Sequence, residues 1–153
     1  MFSVDEALKV ILSNISVKAQ YEKIDIFDCY GRTLFNDHIA GSDIPLKDNS
    51  SMDGYAVICD DINSANIDTP VILKVVNETR AGHAFHGNRL QKGCAIRIMT
   101  GAPIPEGADS VIQFEATEES GEFVKIFKRT VKHENIRFAG EDIKKGNIIL
   151  KKG

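Results

Sequence analysis

The stretch that most constrains the fold is Asp48–Val57, which reads Asp-Asn-Ser-Ser-Met-Asp-Gly-Tyr-Ala-Val. Its first six residues carry two carboxylates, an amide and two hydroxyls, and an apolar strand follows directly. The pair Asp53-Gly54 predicts a tight turn, because glycine adopts a positive φ without steric cost. Such a turn would hold the Asp53 carboxylate at an exposed bend with a strand behind it, as site residues often are held. An ordinary hairpin turn, in which Asn49 and the serines cap loose backbone, would give the same pattern.

The N-terminal residues predict one clear helix, over Ser3–Ile15. Ser3 and Glu6 form a capping box, in which each side chain bonds the other's free main-chain N–H. Apolar residues then recur at helical spacing and form a single stripe, made of Val4, Ala7, Leu8, Ile11 and Ile15. Such a stripe has to be buried, and a core helix of the same domain is the simplest interpretation.

Most of the remaining chain predicts short strands and turns. Apolar and polar residues alternate over short runs that Gly and Pro residues separate, which is typical of a β-rich fold. We predict strands around Ile24 and Ile26, at Leu34–Ala40, Tyr55–Cys59, Val71–Asn77 and Cys94–Met99, and a hairpin of Ser110–Glu115 with Phe123–Lys128. The fold class is therefore mainly β with an N-terminal helix (α+β).

Composition argues against several classes of function. The 153 residues are 42% hydrophobic and 27% charged, as in soluble globular proteins. A net charge of −3 provides no basic excess for a nucleic acid, and no apolar run is long enough to cross a membrane. The N-terminus lacks the features of a signal peptide, and the isolated cysteines Cys29, Cys59 and Cys94 indicate reduced, mostly packing thiols in a cytoplasmic protein. His83-x-x-His86 lacks a third ligand and a helix, so we interpret it as a surface pair rather than a zinc site.

Four blocks of sequence resemble one family. Asp-Asn-Ser-x-Met-Asp-Gly-Tyr-Ala within Asp48–Val57 is similar to the motif of the molybdopterin molybdenumtransferases, the MoeA and gephyrin E-domain proteins. The further blocks are Ala81-Gly82 upstream of Lys92-Gly93, then Arg-Ile-Met-Thr-Gly-Ala-Pro-Ile-Pro-Glu-Gly-Ala-Asp at Arg97–Asp109, and Asn135–Arg137 followed by Gly140–Ile143. Together they span nearly the whole chain. The departures are local: Lys47 replaces an aromatic residue, Ser51 an alanine, and Phe138-Ala139 a pair that is often partly basic.

The resemblance implies a fold and a division of the chain. It implies a β-rich, barrel-like lobe inserted in an elongated lobe that contains strands, as in the N-terminal region of MoeA. We expect an N-terminal helix at residues 1–20, the elongated lobe at 21–44 and 140–153, and the inserted lobe with the motifs at 45–139. In the family this helix packs on a later domain, so we expect its apolar stripe to be loosely held or covered by an intermolecular contact.

The resemblance also implies an activity, the insertion of molybdenum from molybdate into adenylylated molybdopterin with release of AMP. A divalent cation such as Mg²⁺ takes part, and hard cations require carboxylate ligands. From the motif positions we expect Asp53, Thr100 and Asp142 to be catalytic, with Asp53 and Asp142 as possible Mg²⁺ ligands. We expect four further residues on the substrate side: Gly101 at an anion-binding loop of main-chain N–H groups, Arg137 at a phosphate, and Asn49 and Ser50 orienting Asp53. A rigid loop between strands would explain Gly101 equally well, and Arg137 could instead be a structural ion-pair partner. Glu141 is interpreted as a salt-bridge or turn residue.

Family members continue well beyond the last block, so we expect the chain to be part of a longer protein and inactive alone. The resemblance implies a homodimer with the active site between subunits, and molybdopterin adenylyltransferase as the upstream partner. This chain would then contribute half of an enzyme site. The alternative is a dimerisation and assembly module, whose motifs shape contacts while the chemistry belongs to another domain.

Overall fold

The computed structural model describes residues 3–16, 20–83 and 87–153, and its backbone forms two compact units. One unit comprises Met1–His38 with Leu150–Gly153, and the other comprises Ile39–Ile149. The finer division into three parts that the resemblance implies stays a prediction. Within the described residues no helix is long and apolar enough to cross a membrane.

The predicted N-terminal helix is confirmed as α1, Val4–Asn14, with Ser3 as its N-cap and Ile15 as its C-cap. The capping box is present, because the Glu6 N–H donates to Ser3 Oγ at 3.2 Å and the Ser3 N–H donates to Glu6 Oε2 at 2.8 Å. None of its residues is buried. The interpretation of α1 as a core helix is therefore wrong for this chain, and its apolar stripe is not buried.

The strand predicted around Ile24 and Ile26 is wrong, because Ile26–Asp28 form a short 3-10 helix. Asp25 caps this turn, and its carboxylate accepts a hydrogen bond from the Phe27 N–H at 2.9 Å. Short polar side chains of this kind bond nearby main chain and compete with strand pairing. Of the extended run predicted before Gly41, only His38–Ile39 is a strand.

The described residues form ten strands. In chain order they are β1 His38–Ile39, β2 Asn49–Ser50, β3 Gly54–Val57, β4 Val71–Thr79, β5 Cys94–Ile98, β6 Ser110–Gln113, β7 Thr117–Ser120, β8 Phe123–Ile126, β9 Ile136–Arg137 and β10 Ile148–Leu150. Short 3-10 helices follow β3 at Cys59–Ile62 and β6 at Phe114–Ala116. The mainly β fold class with one N-terminal helix is confirmed.

Six strands form one curled sheet in the order β6-β3-β5-β4-β8-β7, while β1 pairs with β10 and β2 with β9. All pairs in the large sheet are antiparallel except β4 with β5. The hairpin predicted between Ser110–Glu115 and Phe123–Lys128 is wrong in its partner, because β8 pairs with β7 and β6 pairs with β3. The 3-10 helix Phe114–Ala116 changes the direction of the chain after β6, so β6 does not continue into a hairpin with β8. Instead β6 lies beside the fully buried β3, and three of its own four residues are buried.

The core lies within the unit Ile39–Ile149 and consists of two apolar clusters. One surrounds Tyr55, whose ring meets the edge of Phe114 with 5.4 Å between centroids, and the other surrounds Ile96 and Ile98. All three cysteines are free thiols. Cys59 is buried as a packing residue, whereas Cys29 is exposed, so the packing role predicted for the cysteines does not extend to Cys29.

Candidate functional site

The short strand β2 brings the sequence blocks together. On one side Asn49 pairs with Arg137 of β9. On the other side the Gly101 N–H donates to the Ser50 carbonyl at 2.8 Å, and the Ser50 N–H donates to the Ala102 carbonyl at 3.0 Å. The segments around residues 48–54, 99–104 and 135–142 are therefore neighbours in space, although the sequence separates them widely.

Asp53 and Thr100 form the most specific contact of this region. The Thr100 N–H donates to Asp53 Oδ1 at 2.7 Å, and the Thr100 hydroxyl donates to the same oxygen at 2.8 Å. These two bonds lower the pKa of the Asp53 carboxyl, the main-chain bond most. Both residues are exposed, so the structure holds an ionised carboxylate in a fixed position at the surface.

Gly54 supports Asp53 for a different reason from the one predicted. It lies in β3 and is not among the glycines with a positive φ. A Cβ atom at this position would lie 1.9 Å from the carbonyl oxygen of Ile112 on β6. The sequence Asp53-Gly54 is therefore explained by the close approach of two strands, and the prediction of a positive-φ turn is wrong.

The first three N–H groups of the loop after Met99 all donate to acceptors within the chain. Thr100 donates its N–H to Asp53, Gly101 donates to Ser50, and the Ala102 N–H donates to the Met99 carbonyl at 2.9 Å. Gly101 has a φ of 79°, as a left-handed turn requires. The anion-binding loop of main-chain N–H groups predicted from the sequence is therefore not formed by these three residues, and the Thr100 side chain is the polar group that this loop brings to Asp53.

Arg137 and Asp142 form the second contact. The Arg137 Nη2 atom lies 2.6 Å from Asp142 Oδ2, and both side chains are partly exposed. This bond raises the pKa of the Arg137 guanidinium above its ordinary value. The intervening turn is held by Glu141, whose carboxylate accepts the Phe138 N–H at 3.0 Å. Glu141 is thus a turn residue, as predicted.

Ser50 and Asn49 shape the approach to Asp53. Ser50 is buried, and its hydroxyl donates to the Met52 carbonyl at 2.5 Å and accepts the Met52 N–H at 3.2 Å. These bonds define the bend that precedes Asp53. Asn49 is half-buried in β2. A direct contact of either residue with a substrate stays a prediction.

The carboxylates do not form a complete cation site by themselves. Across residues 3–16, 20–83 and 87–153, no group of three or more His, Cys, Asp or Glu residues is arranged to hold a metal ion. Asp53 bonds Thr100, and Asp142 bonds Arg137. A Mg²⁺ ion bound here would take most of its ligands from water or substrate phosphates, as Mg²⁺ commonly does. The prediction that His83 and His86 form a surface pair stays a prediction, because His86 lies outside the described residues.

Two further residues belong to the region although no site role was predicted for them. Asp48 accepts the Ala139 N–H at 2.8 Å and so fixes the turn between Arg137 and Asp142. Asn135 has a left-handed backbone with a φ of 60° and contacts both β6 and the residue after Ser50. Asp48 begins the first motif block and Asn135 begins the last, and these positions are the signal that could have identified both residues.

Comparisons with known proteins agree with this arrangement. The family model described as "MoeA N-terminal region (domain I and II)" matches residues 2–153. The molybdopterin molybdenumtransferase of Staphylococcus epidermidis is 39% identical over 152 residues, which cover 99% of this chain and 36% of the relative. The corresponding protein of Bacillus subtilis is 37% identical over 154 residues, covering 98% of this chain and 35% of the relative.

The backbone of the chain also agrees with that of a solved structure. The crystal structure of the molybdopterin biosynthesis moeA protein from Pyrococcus horikoshii OT3 superposes with a TM-score of 0.89 and 36% identity, over 97% of this chain and 39% of that chain. The chain thus spans a little more than a third of the length of these relatives. The resemblance inferred from the motif blocks is confirmed, and the chain belongs to the MoeA N-terminal region family.

Proposed function

We propose that the chain acts in molybdenum cofactor biosynthesis, as the N-terminal part of a molybdopterin molybdenumtransferase. The complete enzyme would insert molybdenum from molybdate into adenylylated molybdopterin and release AMP. Family membership and the names of the relatives support this function. Because the chain spans about a third of those relatives, it would supply part of the site and have no turnover alone.

The single observation that carries the proposal is the Asp53–Thr100 contact. A carboxylate that receives a main-chain N–H and a hydroxyl on one oxygen is held in one orientation and kept ionised. No donor among the described residues bonds its other oxygen, Oδ2. We propose that Oδ2 faces the reacting groups, where it can accept a proton or bind a cation.

The Arg137–Asp142 pair would supply the opposite charge. An exposed arginine is suited to a phosphate or another oxyanion, because its planar guanidinium donates two parallel hydrogen bonds. The pair is solvent-exposed and therefore weak. A phosphate group of the substrate can thus replace Asp142 on Arg137 at small cost, which would release the Asp142 carboxylate for the cation that the family uses.

We further propose that the site is completed by another subunit of a homodimer. Substrate would come from molybdopterin adenylyltransferase in the cytoplasm, since that enzyme class makes the adenylylated pterin. Mg²⁺ is proposed only as an ion shared between one carboxylate of this chain and the substrate phosphates, because the described residues do not assemble three such ligands.

The test uses the complete protein with Asp53→Asn or Asp142→Asn. Both changes keep the size of the side chain and remove its charge. We expect the dimer to be preserved and molybdenum insertion to be lost, measured by complementation of a strain that lacks molybdenum insertion. Asp68→Asn is the matched control, because Asp68 is an exposed aspartate near Asn66 with no place in the site. Normal insertion by both site variants would reject the enzyme role.

A second candidate is a dimerisation and assembly module. The observation in its favour is the open apolar stripe of α1, with Val4 84% and Ile11 57% exposed. Apolar faces of this kind mark association surfaces. If the same two variants lose insertion only when the dimer falls apart, as judged by their mass in solution, the assembly role is favoured over the enzyme role.

A further inference from the structure

We propose that Asn135 is a positioning residue, which anchors the Asp53 loop to the outer edge of β6 so that the Asp53 carboxylate reaches Thr100. Its importance for a reaction rests on the function proposed above, but the anchoring itself does not. Three properties of Asn135 carry this inference, namely its backbone conformation, its side-chain bond and its main-chain bond.

The first property is the left-handed backbone. Asn135 has a φ of 60°, in a region that residues other than glycine seldom occupy. Asparagine tolerates this region better than most residues, because its short polar side chain can form local hydrogen bonds. The turn at Asn135 directs the chain into β9, which carries Arg137.

The second property is a side-chain bond that replaces a main-chain bond. Along the outer edge of β6, the His133 N–H donates to the Asp109 carbonyl at 2.7 Å, and the Val111 N–H donates to the Glu134 carbonyl at 3.0 Å. The next donor in this ladder is the Asn135 side-chain amide, which bonds the Val111 carbonyl at 2.9 Å. The amide thus supplies the donor that an extended strand would have supplied from its main chain.

The third property links this edge to the candidate site. The Asn135 carbonyl accepts the Ser51 N–H at 3.0 Å. Ser51 precedes Asp53 by two residues, and on the other side the Phe114 N–H donates to the Asp53 carbonyl at 3.1 Å. The loop that carries the carboxylate is therefore held at both ends, and Asn135 provides the anchor on its N-terminal side.

The test is amide hydrogen exchange on the 153-residue chain with Asn135→Ala, which disfavours the left-handed backbone and removes the amide. The Thr100 N–H reports directly on the Asp53 contact. The Ala102 N–H is the internal reference, because it lies in the same loop but donates to the Met99 carbonyl rather than to Asp53. We expect the protection of Thr100 relative to Ala102 to fall by about tenfold, as local opening of the Asp53 loop requires.

His133→Ala is the matched control. His133 also has a left-handed backbone, with a φ of 70°, and lies on the same edge of β6, but its main chain bonds Asp109 rather than the Asp53 loop. This variant should lower overall stability and reduce the protection of Thr100 and Ala102 by the same factor. If His133→Ala lowers the ratio of Thr100 protection to Ala102 protection (the Thr100 ratio) as much as Asn135→Ala does, the specific role of Asn135 is rejected.

Asn135→Gly keeps the test decisive if the alanine variant does not fold. Glycine accepts the left-handed backbone and loses only the bond to Val111, so we expect a smaller but measurable fall of the Thr100 ratio. An unchanged ratio in this variant, or in a folded Asn135→Ala, overturns the inference.

Activity of the complete protein separates this inference from the proposed function. A fall in the ratio of Thr100 to Ala102 protection in Asn135→Ala, together with normal molybdenum insertion in Asp53→Asn, would support the anchoring and reject a role of Asp53 in the reaction. An unchanged ratio, together with loss of insertion in Asp53→Asn, would reject the anchoring and support the function.

Discussion

Asp53 and Thr100 lie 47 residues apart in the sequence, yet Thr100 donates both its main-chain N–H and its hydroxyl to one oxygen of Asp53. Two donors on one oxygen favour the ionised form, so the pKa of the Asp53 carboxyl lies below its ordinary value. The same contact joins the residue before β3 to the loop after β5, at the end where Gly54 pairs with Ile98.

Thr100→Val removes the hydroxyl donor and keeps the main-chain donor. We predict that the pKa of Asp53 rises part of the way to its ordinary value, because the remaining N–H bond is the larger cause of the shift. Titration of the Asp53 carboxyl carbon by NMR measures this change. Thr69→Val is a control on an exposed loop, and it should leave the Asp53 titration unchanged. A full return to the ordinary value would contradict the ranking of the two bonds.

The pH dependence of stability follows from the sign of this shift. Because the folded-state pKa of Asp53 is lowered, the contact stabilises the protein above the unfolded-state pKa and loses its effect as the pH falls through the folded-state pKa. We predict that Asp53→Asn lowers the free energy of unfolding at neutral pH and has a smaller effect in acid, below the range in which aspartates titrate. Urea unfolding at both pH values checks this, and an equal effect at both would contradict it.

Gly54→Ala should be severely destabilising. Its Cβ would lie 1.9 Å from the Ile112 carbonyl oxygen, which neither strand can avoid without breaking the β3–β6 pairing. We predict a loss of about 3 kcal/mol or more in the free energy of unfolding, measured with urea. Gly41→Ala is the control, because a Cβ there meets nothing within 4 Å, and its effect should stay within about 0.5 kcal/mol. Similar losses in the two variants would refute the steric explanation.

The Arg137–Asp142 pair should contribute little to stability. Both side chains are exposed to solvent by 40% or more, and exposed ion pairs are screened by water. A double-mutant cycle with Arg137→Gln and Asp142→Asn should give a small favourable coupling that decreases with added salt. A much larger coupling would show that the pair is structural and would weaken the proposal that a phosphate replaces Asp142.

Ser3→Ala should weaken α1 without weakening the β unit. The change removes the capping box, which is worth about 1 kcal/mol to a helix. Because no residue of α1 is buried, we predict less helical circular dichroism and an unchanged urea midpoint for the sheet. Ser13→Ala, on the same helix and outside its N-cap, should not reduce the helical signal. A lowered midpoint in Ser3→Ala would show that α1 supports the sheet.

The sequence predicted best those features that depend on local patterns. The bounds of α1 follow from Ser3, Glu6 and the helical spacing of apolar residues, and all of these are local. The strand predicted around Ile24 does not form, because an alternating pattern does not by itself supply a neighbouring strand to pair with. The hairpin failed because three residues of 3-10 helix after β6, Phe114–Ala116, change the direction of the chain.

The candidate site shows the same limit. The motif blocks identified Asp53, Thr100, Arg137 and Asp142, and the structure brings them together in two pairs. Their pairing depends on strands that are distant in sequence, so spacing could not have shown it. The role of Gly54 was misjudged because its neighbour Ile112 is remote in the chain.

The strand order of the large sheet also determines when the site can form during synthesis. Only β7 and β8 are joined by a short turn, whereas every other pairing in this sheet closes a longer loop or joins parallel strands. Pairings that close long loops form slowly, because the entropy of closure has to be overcome first. A ribosome makes Asp53 well before Thr100, and Asn135 later still. The Asp53 loop therefore lacks its bond to Asn135 until synthesis has passed that residue.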